Sequence, residues 1–391
     1  MLIRHVHDNA TRQSYAGATD FDGVAGQEYP PERIIELAKN MDRLYKYIGV
    51  VLLVLLGKVS PIAAQDSLVL VRENPAHAYG ETIPAGNYSG IVNVEGNTYA
   101  LVSDKGTRGE VVFVNIEIDN ETGDIINARH IYSLPTGETN RDNEDIVYLT
   151  DKKSFYIASE EDNEVREFVI DKVADDGTIK PTGNNLPFGD LKGKTRPNRG
   201  LESLAYDSIG KVFWTTTECP LVGDGEVTTS NNGVRQQLRL MVTDGTGGLS
   251  HYAYQMDTPE EVPEMDTFLM GVSALTALGN GRLLVLEREV HIPQEYLGAF
   301  SLMKIYAVDV TGEQKVPVAE PLAESSPFVK KRLVCQWRTD ISLFDFGFAN
   351  YEGICLGPRL EDGSQVVVLV SDSQNQYGGV LSDWFKTIVV R

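Results

Sequence analysis

Histidine, cysteine and basic residues are all scarce in this chain, and each shortage closes off a class of function. The six histidines (His5, His7, His77, His130, His251 and His291) show no metal-ligand spacing, which argues against a zinc enzyme. The three cysteines, Cys219, Cys335 and Cys355, form no C-x-x-C pair. An oxidising compartment would permit one disulfide, Cys335 with Cys355, and leave one free thiol; three buried thiols is the plainer reading. Lysine and arginine number 35 against 56 acidic residues, a net charge of −21. Phosphate-backbone binding needs clustered cations, so nucleic acid is not an expected partner. Also missing are a G-x-S-x-G nucleophile elbow, an H-E-x-x-H helix and a phosphate-binding glycine loop.

A long apolar run is missing as well. Ile48–Leu56 holds nine residues, where a bilayer-spanning helix takes about 20, so no membrane span is expected in the mature protein. Met41–Lys46 is basic in character, the apolar run follows, and Ser60–Ala64 ends in small residues. That order is the order of a secretory signal peptide. The expectation is a start at Met41, with 1–40 an upstream extension, 41–64 a signal peptide and 65–391 a single secreted or periplasmic domain. No cysteine follows the cleavage site, so nothing there supports a lipid anchor.

What is present from Ser67 onward is strand after strand. Short runs rich in Val, Ile, Tyr, Phe and Thr, such as Tyr99–Ser103, Ser154–Ser159, Leu238–Thr243 and Gln365–Ser371, alternate with turn residues. Asp176-Gly177, Asp244-Gly245, Asn280-Gly281 and Asp362-Gly363 are the clearest turns. Only Ile292–Leu302 and 377–385 suggest short helices. The fold class is all-β.

One pattern occurs five times: a short strand opened by a small or acidic residue, a turn, and a second apolar strand ending in an acid. The copies are Tyr88–Asp104, Asn143–Glu160, Arg199–Glu218, Gly271–Arg288 and Asn350–Asp372. Further strand-like runs follow each of the first four, which is the logic of a β-propeller of four-stranded blades. Five blades are counted, and the extra sequence between 289 and 349 leaves room for a sixth, degenerate one. The last blade lacks a strand, which Ser67–Val71 could supply by pairing beside Lys386–Val390.

The units "SG-I…SD", "N-E-D-I…A-S-E", "G-L-E-S-L…T-E", "V-L-E-R" and "Y-E-G-I…S-D-S" together resemble the phytase-like, esterase-like propeller domain. The resemblance runs in order through the whole mature chain. It implies a hydrolase of phosphoesters or other esters acting on a small molecule. Propellers also serve as binding modules, so a non-catalytic protein that takes a sugar, peptide or protein at the same mouth is the alternative.

Antiparallel pairing puts the start of each first strand beside the end of the second. The strand-start acids Glu144, Glu202 and Glu352, the candidate catalytic residues, should thus share one channel mouth with the strand-end acids. Asp104, Glu160, Glu218, Glu287 and Asp372 are those strand-end acids and the candidate metal ligands. So many carboxylates raise one another's pKa or collect a cation, and oxygen ligands favour Ca²⁺, with Mg²⁺ next. Arg199 and Arg288 adjoin the same positions and are the candidate substrate-binding residues, with simple ion pairing as the plainer role. Ser89, Ser203 and Ser273 lie nearby with no histidine to activate them, so a metal-activated water is the more economical nucleophile.

Overall fold

The computed structural model describes residues 68–170, 177–260, 266–342, 347–374 and 381–391. The expected extension and signal peptide lie outside the described residues. Among the described residues all regular elements are strands, and no helix is long and apolar enough to cross a membrane. Twenty strands make five four-stranded antiparallel sheets.

The first blade is β2 (Tyr88–Glu95), β3 (Thr98–Ser103), β4 (Glu110–Ile118) and β5 (Ile125–Pro135). The second is β6 (Asn143–Leu149), β7 (Ser154–Ser159), β8 (Glu164–Ile170) and β9 (Ile179–Asn185). The third is β10 (Leu201–Asp207), β11 (Val212–Thr217), β12 (Gln237–Thr243) and β13 (Leu249–Gln255). The fourth is β14 (Thr267–Gly279), β15 (Arg282–Ile292), β16 (Phe300–Asp309) and β17 (Lys331–Asp340). The fifth combines β18 (Asn350–Arg359), β19 (Gln365–Asp372) and β20 (Trp384–Val390) with β1 (Leu70–Ala78) from the other end of the chain, in the order β1-β20-β19-β18.

The first strand of each blade is the innermost. Strands β2, β6, β10, β14 and β18 pack against one another in turn, and β18 returns to β2, which closes the ring. Apolar side chains fill the space between successive sheets. Ala100, Val102 and Ile146 join the first two blades, Leu204 and Tyr156 the next pair, and Leu240 with Val272 the third and fourth. Leu284 with Leu369 and Leu101 with Val368 complete the circle. Within the sheets the turn residues do the reversing: Asn280 and Gly281 both take positive φ (55° and 75°) between β14 and β15, the geometry a tight hairpin needs.

The ring is closed by β1 as expected, though the strand extends to Ala78. Its buried Asn74 donates to Thr387 Oγ1 at 3.0 Å and to the Thr122 carbonyl at 3.1 Å. Among the described residues no sixth blade hides between 289 and 349. That stretch is used by long β15, β16 and β17, and by an excursion that lies against β13, where Val316 and Val329 donate to the carbonyls of His251 and Ala253. The expected helix over Ile292–Leu302 does not form: β15 runs to Ile292, turns follow, and Phe300 already begins β16, paired on both sides. Sheet pairing overrides the helical composition of that short segment. In 377–385, residues 377–380 lie outside the described residues and Trp384 begins β20. All three cysteines are free and buried.

Candidate functional site

Every inner strand has a one-residue irregularity at the same place. In the first blade the pairing steps from Tyr88↔Ser103 to Gly90↔Val102 and passes over Ser89. The residues passed over in the other blades are Glu144, Glu202, Ser273 and Glu352. A β-bulge of this kind breaks the alternation and re-aims a side chain, so the repeat's "small or acidic" opener is its bulge residue. The two serines are spent on structure: Ser89 donates to the Asn143 carbonyl at 2.8 Å and Ser273 to the Tyr351 carbonyl at 3.0 Å, each fastening the next blade. The three glutamates are 6–7% exposed.

A second set follows from the same register. The residues paired just before the bulges are Ser103, Ser159, Thr217, Glu287 and Ser371. Those that come next are Asp104, Glu160, Glu218, Arg288 and Asp372. In the fourth blade the equivalent position is therefore Arg288, and Glu287 is not brought to the mouth. One residue of register turns a strand side chain to the opposite face. Glu287 instead accepts from Tyr254 Oη and Lys331 Nζ, both at 2.6 Å. The remaining residues expected at the mouth do come together. Asp104, Glu144, Glu160, Glu202, Glu218 and Glu352, with Arg199 and Arg288, line a cavity of about 230 Å³. Asp372 lies buried beside it, coupled electrostatically to Glu352 and Asp104.

Arg288, only 3% exposed, organises the charges. Its guanidinium pairs with Glu352 through Nη1 and with Glu218 through Nη2, and donates to Asn350 Oδ1 at 3.2 Å. Asn350 donates back to Glu352 at 2.7 Å. The other oxygen of Glu218 accepts from Arg199 at 2.7 Å. Gly271 leaves room for this glutamate: a Cβ there would come within 2.5 Å of Glu218 Cγ and of its carbonyl oxygen. At the rim, Lys105 pairs with Asp104, and Glu160 accepts from the Gly200 amide at 2.6 Å. Among the described residues no Lys, Arg or His forms an ion pair with Glu144 or Glu202.

Burial and mutual repulsion raise the proton affinity of six of the mouth carboxyls. Glu144 is raised well above the ordinary range by desolvation, then by Glu202, Glu352, Asp104 and Glu160. Glu202 is raised likewise by burial and Glu218, with Arg288 opposing. Burial pushes Glu352 up to about 7 against the pull of Arg288, and pushes Asp372 up to about 9 with help from Glu352 and Asp104. Asp104 and Glu160 are raised too, chiefly by desolvation.

These placements bear on the expected cation. Among the described residues no group of three or more His, Cys, Asp or Glu is arranged to hold a metal ion. The guanidinium of Arg288 already lies against Glu218 and Glu352. As placed, the donors do not fit a resident divalent cation. Sequence reasoning passed over Lys105, Asn198, Asn350 and Gln374, which also line the cavity. Two of these had a signal: Lys105 directly follows a strand-end acid, and Asn350 opens a repeat as Asn143 does.

A family model described as "Phytase-like: Esterase-like activity of phytase" matches residues 83–374. This chain belongs to the phytase-like family. The phytase-like match includes the inner strands of all five blades and every mouth residue named above. No curated protein matches the chain. Among solved structures it is similar to the periplasmic gluconolactonase PpgL of Pseudomonas aeruginosa, at 14% identity and a TM-score of 0.33 over 75% of this chain and 85% of that one. A luciferin-regenerating enzyme is similar at 11% identity and 0.37, over 80% and 94%. The allergen Mala s 1 of Malassezia sympodialis is similar at 10% and 0.34, over 78% and 93%. Likeness at this level carries no argument about activity.

Proposed function

We propose that this phytase-like propeller hydrolyses a small, uncharged ester at the acidic mouth. The observation that carries the reading is the trio Glu352, Glu202 and Arg288: Arg288 lies buried against Glu352, burial pushes the Glu352 carboxyl up to about 7, and burial and Glu218 raise the Glu202 carboxyl well above the ordinary range. Acid–base hydrolysis needs one carboxyl to accept a proton and a second to donate one. Ionised Glu352 takes a proton from water as the water oxygen adds to the ester carbon. The bond from carbon to the alkoxide oxygen then breaks, and Glu202 gives that oxygen its proton, so acid and alcohol leave and the proton gained by Glu352 passes to Glu202, through solvent, to restore the starting state. Arg288 is the buried cation beside the developing oxyanion. Burial and the charge of Glu218 keep Glu202 protonated, and the partly exposed Arg199 contacts substrate at the rim. Export is part of the proposal, with a mature end near Gln65 that N-terminal sequencing would find.

A second reading keeps the expected calcium and a phosphoester. It is favoured by the excess of carboxylates over cations at the mouth, and Glu144, Glu202 and Asp372 would have to rearrange to hold the ion. A panel of uncharged esters, lactones and phosphoesters separates the readings. The first predicts hydrolysis of an uncharged ester in the presence of chelator, reduced about 10²–10⁴-fold by Glu202→Gln with the fold retained. Phosphoester hydrolysis that appears only with added Ca²⁺ selects the second. No hydrolysis with any ion leaves a propeller that binds a sugar, peptide or protein.

A further inference from the structure

The mouth has an apolar annex. Strands β14 and β15 continue past the acidic cavity, pairing Leu269 with Val290 and Thr267 with Ile292 beyond Gly271↔Arg288. Strand alternation puts Arg288, Val290 and Ile292 on one face of the sheet, with Leu269 and Thr267 beside them. That face runs from the guanidinium into a second cavity, of about 510 Å³, completed by residues such as Ala299, Ile341 and Phe348. Val290, Ala299 and Phe348 form its buried floor, while Leu269, Ile292, Ile341 and Leu381 are only partly covered. Tyr296 and Leu297 at its edge are 44% and 51% exposed, and among the described residues Glu295 is the one charged residue in the lining. The two cavities share Leu269, Asn350 and Gln374, and Asn350 hydrogen-bonds both Arg288 and Glu352.

We propose that this apolar cavity between the fourth and fifth blades is the acyl-binding subsite, and that the substrates are esters of medium-length or aryl carboxylic acids. The inference rests on the proposed hydrolysis and adds its substrate class. The volume lies in the range of about 300–1,000 Å³ typical of small-molecule sites. Its continuity with the Arg288 face sets an acyl chain in the annex while the ester group lies among the carboxyls.

The test is a chain-length series of p-nitrophenyl acetate, butyrate and hexanoate, with calorimetric binding of uncharged N-butylhexanamide alongside. Burial of each methylene raises kcat/KM about fourfold, so hexanoate, four methylenes longer, exceeds acetate by about 250-fold. Ile292→Trp, which fills the annex, should bring that ratio close to one and weaken amide binding. Should that variant fold poorly, Ile292→Ala enlarges the cavity and moves the optimum to longer acyl chains. A flat series in a protein that hydrolyses acetate overturns the subsite and leaves the hydrolase. If no ester is hydrolysed, amide binding decides: binding that Ile292→Trp abolishes upholds the subsite, and no binding overturns it.

Discussion

Replacing Arg288 by Met removes the one fully buried cation of the mouth while keeping a flexible side chain in its place. Glu352 would be left with Asn350 at 2.7 Å, and Glu218 with the partly exposed Arg199. Breaking a buried ion pair from one side costs about 3–5 kcal/mol, because the remaining charge stays desolvated. The orphaned carboxyl can escape by taking a proton. That costs about 1.4 kcal/mol for each pH unit above an ordinary carboxyl pKa, roughly 5 kcal/mol at pH 8 and about 1 kcal/mol at pH 5. The smaller cost sets the outcome. Arg288→Met should therefore lose about 3–5 kcal/mol relative to wild type at pH 8, and only about 1 kcal/mol at pH 5. Urea unfolding of both proteins at the two pH values measures the difference directly. An equal loss at both would mean that Arg288 contributes packing alone and that the carboxyls around it are not an electrostatic unit.

Glu144→Gln should stabilise the protein at pH 8 and change little at pH 4. Its folded-state pKa is raised, so above the ordinary carboxyl range the folded chain holds a proton the unfolded chain releases, and stability falls as pH rises. A lower melting temperature at both pH values would show that the charge is not what matters there. Deleting 68–78 removes β1, uncovers the edge of β20 and orphans the partners of Asn74, so the melting temperature should drop by far more than for loss of an exposed tail, with association through the open edge. A truncated protein that melts like the parent and keeps the parent's oligomeric state would contradict ring closure by β1.

Much of this architecture is legible in the sequence because each blade repeats the same demand. The inner strand needs a small or acidic bulge residue at its start, and the second strand needs charge at its end, so both recur as visible letters. Fold, blade count and closure follow from that pattern. The fourth blade misleads because Glu287 and Arg288 stand side by side, and the bulge at Ser273 decides which faces the mouth. A string of letters does not carry that register. The annex is hidden for a related reason: it depends on how far β14 and β15 continue and on loops from two blades, and apolar residues there look like ordinary core. Strand β9, Ile179–Asn185, is exposed beyond its first residue and carries no apolar alternation to announce it.

The most direct test of the account is the pH dependence of kcat/KM for an uncharged ester in the presence of chelator, measured on wild type and on Glu352→Gln. The account predicts that the wild-type rate rises with pH through an apparent pKa of about 7, the value to which burial pushes Glu352, as the base loses its proton. In Glu352→Gln that rising limb should disappear and the plateau should fall by about 10²–10⁴-fold. A variant that keeps both the limb and the rate, or a wild type that hydrolyses no ester, would contradict it.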